Sequence, residues 1–391
     1  MQLGWASQDL HGTETVGQVV TPRIRGALVA LGQNVPDEHP SPGSPRAGPM
    51  PSAQQDGPCP MPPKAGGTHW PVTAGGDPGT RYCHHLPHGL QTPTPQPPGT
   101  LSLRTVAGTM QILTSLAQLQ HLEGILKKSL PLALPVYGAV LNITRGNPGQ
   151  SEVLVDKWPE FGAVLARPRG EVPVNDGYWN TQAAFYQDLG AYRALLETPG
   201  CQRWDAAFTV IGLQDGVATV SQDLARTKGV ELDIVEYYTY VHPDPSTMPK
   251  PRLDPSVRVG SLLPSHVDLL NETWPYGGNA RSRRYLAELL EHFPHVCLQD
   301  STGEPISWVL TDHFGTGTHS FTLPVHRRRG HMQVALTVAA QRAQARGFPT
   351  FGHTALWNRP MQQLQELLGH QRLPGTCCYI LHNPRMDKDG P

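Results

Sequence analysis

The segment TLPVHRRRGHMQVALTVAA, residues 322–340, sets three consecutive arginines and a glycine where an extended run gives way to a helical one. A helix's first amide protons have no intrahelical partner and its dipole leaves partial positive charge there, so such a junction suits an anion. Gly330 lets the backbone come close to a phosphate, and Arg327, Arg328 and Arg329 add forked donors. His331 and Met332 complete the turn. The helix expected behind them, through about Arg346, is rich in alanine and so packs closely on a sheet. The spacing Arg-x-x-Gly-x-Met is not the phosphate loop of nucleotide hydrolases, and one glycine cannot make the dinucleotide fingerprint. Taken alone, the motif also fits a basic start on a solvated helix, or a nuclear-localisation or nucleic-acid patch.

The elements that must position this turn follow in a regular succession. After the proline-laden run HPDPSTMPKPRLDPS (242–256), read as a linker over 246–256, VRVGSLL predicts a short strand. Val267, Leu270 and Trp274 mark a helix, and Asn279 caps a second one carrying Tyr285, Leu286, Leu289, Leu290 and Phe293. HVCLQD and PISWVLTD form a hairpin around STGE, and HSFTLP leads into the arginine turn. A strand near PTFGHTAL, a helix with Met361, Leu364, Leu367 and Leu368, and a last strand TCCYILH complete the order β-α-α-β-β-β-α-β-α-β over 257–391. The first globular half, 110–245, opens on MQILTSLAQLQHLEGILKKSL, whose leucine spacing predicts an amphipathic helix closed by Pro131. VYGAVLNI (136–143) and EVLVD (152–156) read as strands.

Composition narrows the classes. The chain has 391 residues, 38% of them hydrophobic, with 31 Lys+Arg against 32 Asp+Glu and a net charge of -1. Such a balance exerts no overall pull on nucleic acid or anionic lipid, and no apolar run is long enough for an ordinary membrane span. Residues 1–109 hold 18 of the 40 prolines amid Gly, Ser, Gln and Thr, a composition that cannot bury enough surface to offset its ordering entropy. This extension is expected to be disordered. Its first residues lack the basic and apolar regions of a secretory signal, and Asp9 and Glu14 argue against a mitochondrial transit peptide. Cys59, Cys83, Cys201, Cys297, Cys377 and Cys378 show no CxxC spacing, so a reducing compartment is expected. Cys83-His84-His85 has no second cluster at ligand spacing, and no metal site is expected.

In that order of elements the turn resembles the pyrophosphate loop of the GCN5-related N-acetyltransferase superfamily, Arg/Gln-x-x-Gly-x-Gly/Ala, with Arg327, Gly330 and Met332 at its positions. Met332 departs from the pattern. Longer segments, PVYGAVLNITRGNP, VDKWPEF, WPYGGNARSRRYL, FPHVCLQDSTGEPISWVLTD and TLPVHRRRG, resemble the glycine N-acyltransferase family across 110–382. The resemblance implies an α/β fold with a GNAT-like mixed sheet flanked by helices, in two globular halves. It implies an enzyme that joins the acyl group of acyl-CoA to the amino group of glycine or another small amino acid. Acyl-CoA would be a cosubstrate, with no prosthetic group, and the protein an intracellular monomer, with mitochondrial and cytosolic or reticular locations both open.

The diphosphate would rest on amides from about Arg328 to Met332. A backbone N–H near Leu323 or Val325 would stabilise the oxyanion, commonly worth ~3 kcal/mol per donor. Asn358, before the last helix, matches a position near the CoA arm and equally reads as an N-cap. The family's general base is a glutamate, and Thr316 stands at its position; threonine cannot serve near neutral pH. His319 is the nearest titratable group on that strand, but alternation puts it on the face opposite Thr316, Thr318 and Ser320 unless a β-bulge flips the parity. Asp312 and His313 are further candidates, as are a water chain or capture of the free amine. The cysteines on strands read as packing. Two other classes compete: an acyl-CoA-binding protein without catalysis, and a nucleic-acid or interaction module using His326-Arg327-Arg328-Arg329.

Overall fold

A computed structural model describes residues 110–170, 176–250 and 252–384. The expected disorder of 1–109 and the Cys83-His84-His85 alternative lie outside them. The first element is a strand, β1 (Gln111–Leu113), where the leucine spacing predicts helix. Helix α1 (Leu116–Lys128) starts later because Ser115 caps it: Ser115 Oγ accepts the Gln118 amide and Gln118 Oε1 accepts the Ser115 amide. VYGAVLNI, expected as a strand, lies in helix α2 (Leu134–Thr144). Its residues from Leu134 to Asn142 are all buried, so apolar side chains are needed on every side and periodicity cannot tell helix from strand.

There follow β2 (Ser151–Val155), β3 (Ala163–Pro168), β4 (Thr181–Tyr186), α3 (Leu189–Glu197), β5 (Phe208–Gly212), α4 (Asp215–Lys228) and β6 (Val230–His242). In the segment after β6, Met248 is buried against Ala340 and Leu368. The remaining elements are β7 (Arg258–Gly260), α5 (Val267–Thr273), α6 (Ala280–His292), β8 (His295–Gln299), β9 (Pro305–Thr311), β10 (Gly317–Thr322), α7 (His331–Ala345), β11 (Thr350–Ala355), α8 (Arg359–Leu367), β12 (Gln371–Arg372) and β13 (Cys377–Pro384). This matches the order expected for 257–391, with the two-residue β12 added.

All strands join one mixed sheet in the order β1-β2-β3-β4-β5-β13-β6-β11-β10-β9-β8-β7, with β12 on β6 beside the path. The last strand, β13, inserts antiparallel between β5 and β6. One face is covered by α1 and α2 over Val153, Val164 and Ile211, and by α5 and α6 over Cys297, Trp308 and Leu310. The other carries α3 and α4 over Leu154, Leu165 and Ile380, and α7 over Val296, Leu298 and Val309. Side-chain alternation along β13 serves both layers, Cys377 packing with the first and Cys378 with the second. This is an α/β architecture with helices on both sides of a mixed sheet, the GNAT-like arrangement.

Candidate functional site

Strands β10 and β11 run parallel but pair at one position, Gly317 with Gly352. From there β10 stays with β9 while β11 stays with β6 along its whole length, from Thr350 to Ala355. The two strands therefore part toward their C-terminal ends. A register shift between Thr318, opposite Leu310, and Phe321, opposite Trp308, leaves His319 and Ser320 facing Val309 alone. This β-bulge bends β10 at the start of the opening.

The arginine turn stands at that same end. A short 3-10 turn, Pro324–His326, leads to Arg328 and Gly330, both in the left-handed region at φ 62 and 79. Gly330 is the N-cap of α7, and no side chain caps the helix. Apart from its chain neighbours and the helix's own backbone, nothing comes within 4 Å of where a Gly330 Cβ would sit, and Arg328, Arg329 and Gly330 are exposed. Main-chain donors at the helix start thus face open space with guanidinium groups beside them. Arg327 is turned back: its Nε donates to Thr322 O at 3.0 Å and its guanidinium lies 5.4 Å from the Phe321 ring centre. Met332 packs on the Val296, Leu298 and Val334 cluster, so its bulk points toward the sheet and leaves the turn clear. His331 is buried, and burial with His326 and Arg329 nearby holds its pKa below the usual histidine value. Leu323 donates its amide to Ile306 O at 3.0 Å, so that group is engaged in the structure; Val325 is 74% exposed. Asn358 is the N-cap of α8, accepting the Met361 amide at 3.3 Å.

The titratable candidates separate from one another. The bulge forms, and His319 turns beneath α5 with φ 44. Its Nδ1 accepts the Trp308 Nε1 proton at 2.9 Å, which puts the ring proton on Nε2, donating to Leu270 O at 2.8 Å. Burial drives its pKa down to about 4. Both nitrogens are occupied, and His319 ties β10 to β9 and α5. Asp312 and Thr316 share the β9–β10 turn: Asp312 Oδ1 accepts the amides of Phe314 and Thr316, each at 2.9 Å. Burial raises the Asp312 pKa. Thr316 is buried. His313 packs on Phe293 with ring centres 4.6 Å apart, its Nε2 3.9 Å from Glu288 Oε1.

The sequence reading passed over an aromatic cluster on the α5–α6 side of the opening. Trp274 and Tyr276 come from the loop between α5 and α6, Tyr285 from α6, Tyr178 from the segment before β4, and Tyr237, His353 and Tyr379 from neighbouring strands. All seven keep some exposed surface. Trp274 stacks on Tyr285 at 5.8 Å and tilts against Tyr178 at 5.7 Å, while Tyr237 meets Tyr379 edge-on at 5.0 Å. The hydroxyls of Tyr237 and Tyr276 lie 2.5 Å apart, and Tyr178 donates to Tyr276 O at 3.0 Å, so the loop is pinned to the sheet. Burial holds these five phenols above their usual pKa, so they stay neutral. Aromatic residues dispersed over 200 positions carry no local spacing signal; only the fold assembles them.

Buried thiols are poor nucleophiles here: Cys297 is pushed up to about 12 and Cys377 well above its usual value. Among the described residues, no group of three or more His, Cys, Asp or Glu side chains is placed to hold a metal ion, and no helix is long and apolar enough to cross a membrane.

Comparison with known proteins identifies the family. Residues 110–294 match the family described as aralkyl acyl-CoA:amino acid N-acyltransferase, and residues 296–379 match its C-terminal region. Bovine glycine N-acyltransferase is 33% identical over 284 residues, covering 68% of this chain and 96% of that protein. Bovine glycine N-phenylacetyltransferase is 33% identical over 275 residues, covering 66% and 93%. A Drosophila protein of known crystal structure shares the fold with a TM-score of 0.60 at 16% identity, over 71% of this chain and 100% of that one. Matched in both halves and along nearly the full length of these relatives, the chain belongs to the glycine N-acyltransferase family.

Proposed function

We propose that the protein transfers an acyl group from acyl-CoA to the amino group of glycine, giving an N-acylglycine and free CoA. The observation that carries this reading is the divergence of β10 and β11 beyond Gly317 and Gly352, with the uncapped start of α7 beside it. The diphosphate of CoA binds the main-chain amides at the start of α7, flanked by Arg328 and Arg329. The pantetheine arm enters between the parted strands and pairs with their free edges, which brings the thioester to the aromatic cluster. The amine then attacks the carbonyl directly. High thiol pKa values at Cys297 and Cys377 disfavour a covalent acyl-enzyme. Holding both reactants in one desolvated site lowers the barrier by positioning, an effect that reaches several kcal/mol.

Within the family, VYGAVLNITRGNP and THSFTLPVHRRRG look most like glycine N-acyltransferase-like protein 3. The assay is CoA release from a panel of acyl-CoAs with glycine and other small amino acids. Turnover dependent on both substrates is the expected result. Saturable acyl-CoA binding without CoA release under any pairing would instead make this an acyl-CoA-binding protein.

A further inference from the structure

We propose that His353 carries the proton from the attacking amine to the departing thiolate, with Thr239 holding its ring. This rests on the acyl-transfer reading above. The single β10–β11 pair fixes which way the neighbouring side chains turn. A Cβ built on Gly352 would meet Gly317 O at 3.1 Å and the Gln365 side chain of α8 at 3.8 Å, so Gly352 faces the α8 side. Alternation turns the next residues, Thr318 and His353, to the opposite face. Thr318 pairs with Leu310, whose side chain packs under α5 and α6, which identifies that face as the one bearing the aromatic cluster.

On this face His353 lies opposite Thr239 of β6, with His353 Nδ1 3.0 Å from Thr239 Oγ1. With the ring proton on Nδ1 and donated to that hydroxyl, the Nε2 lone pair is left for another donor. Its neighbour is Cys377 Sγ at 3.9 Å, a long contact to a thiol that burial keeps protonated. The contrast with His319 is direct, since both of that ring's nitrogens are bonded at 2.8 and 2.9 Å. The neutral phenol of Tyr379 and the ring of Phe351 meet the imidazole edge-on at 5.7 and 5.8 Å, Tyr237 lies behind Tyr379, and Asp312 acts on Cys377 and Tyr379 from the β9–β10 turn. Burial lowers the His353 pKa to about 3, so the imidazole is neutral at physiological pH. A weak base of this kind does not strip a free ammonium ion. It accepts a proton from the far more acidic nitrogen formed during attack, and its conjugate acid gives that proton up readily.

The step balances without a further reactant. The neutral fraction of the amine attacks, an N–C bond forms, and the carbonyl electron pair moves to oxygen. The positively charged nitrogen of the adduct passes a proton to Nε2, directly or through one water. The oxyanion pair then re-forms the carbonyl, the C–S bond breaks, and the thiolate takes the proton from the imidazolium.

The test is made on the full chain with the acyl-CoA of highest turnover and glycine. His353→Gln is expected to lower kcat ~100-fold, as general acid–base groups do, with acyl-CoA affinity unchanged within about two-fold. Thr316→Glu places a carboxylate at the head of β10; in the His353→Gln background it is expected to restore at least ~10-fold of kcat, which a merely structural defect would not allow. Retention of kcat within about three-fold in His353→Gln overturns the proposal. So does a loss of acyl-CoA binding in that variant that Thr316→Glu leaves unrepaired. Thr316→Glu in the otherwise unchanged protein gives an answer even where His353→Gln does not fold. A change within about three-fold is expected, and a gain of ~30-fold or more would show that the step lacked a proton acceptor. Absence of CoA release from the unaltered protein with every substrate pair would instead bring down the acyl-transfer reading itself.

Discussion

Two strand-helix-strand units in this sheet share an arrangement and differ in what they leave open. In the first, β4 and β5 pair in parallel at Thr181, Gln182 and Ala183 with Thr209, Val210 and Ile211. The helix between them, α3, is closed at its start by Asp188, whose carboxylate accepts the Ala191 amide at 2.7 Å. In the second, β10 and β11 pair once and the intervening α7 begins at a glycine with no side-chain cap. A carboxylate at a helix start satisfies the orphan amides and repels any incoming anion; a bare glycine does neither. Zipped strands likewise consume the backbone groups that parted strands offer. An anion-binding cleft thus requires two local departures at once, at the helix cap and in the ladder, and one unit of the two has both.

The largest effect should come from the residue at the bend. His319→Ala leaves Trp308 Nε1 and Leu270 O without their buried partner and removes a ring from a packed site, a loss of ~3 kcal/mol. Chemical denaturation would read it. A loss much smaller than this would mean that β10 holds its bend without His319. The same ring gives acid sensitivity. Its folded pKa of about 4 lies below the 6.5 of the free side chain, so the unfolded chain binds the proton first as pH falls. This contribution is complete above about 6.5 and is lost progressively down to about 4, up to ~3 kcal/mol. Melting temperature followed across that range should fall more steeply in the parent than in His319→Gln. His353, His370 and His382 titrate with the same sign, so the parent-variant difference is the quantity to read.

Giving the second unit the cap of the first is the next test. Gly330→Asp sets a carboxylate where the diphosphate is proposed to bind and also places a side chain at φ 79. Acyl-CoA affinity should drop ~100-fold, since like charges in contact cost several kcal/mol, as measured by calorimetric titration. The reciprocal change, Asp188→Ala, should cost about 1 kcal/mol of stability and lower the melting temperature by ~2–4 °C. It should leave acyl-CoA affinity untouched, because β4 and β5 remain zipped.

Much of this contrast is legible in the sequence. Gly and Pro punctuation and alternating apolar residues carry the order of elements after residue 257, and a glycine behind three arginines marks the open helix start. Other features are invisible to local reading for definite reasons. VYGAVLNI is apolar on every side because α2 is buried on every side, so its periodicity is silent. Insertion of β13 between β5 and β6 depends on pairings some 150 residues apart, which no window of sequence encodes. A bulge in β10 was foreseeable as a way to reorient His319, but not that Trp308 and Leu270 would take both of its nitrogens. His353 carries no motif. Its place at the cleft follows only when parallel pairing of Gly317 with Gly352 is known.

The smallest effects divide the three arginines. Arg328 and Arg329 are exposed at the uncapped helix start, whereas Arg327 lies folded on Phe321 with its Nε donating to Thr322 O. Exposed charges are well screened, so Arg328→Ala and Arg329→Ala should each weaken acyl-CoA binding by only ~3–5-fold, less at high salt. Removing both should flatten the salt dependence of the dissociation constant. Arg327→Ala should leave that salt dependence in place and act on the end of β10 instead, with a stability loss of about 1 kcal/mol from the lost hydrogen bond and ring contact. If Arg327→Ala proved the most damaging of the three to affinity, its guanidinium would have to leave Phe321 when the ligand arrives. The turn would then close around the diphosphate, and the contrast between the two units would lie in motion as well as in shape.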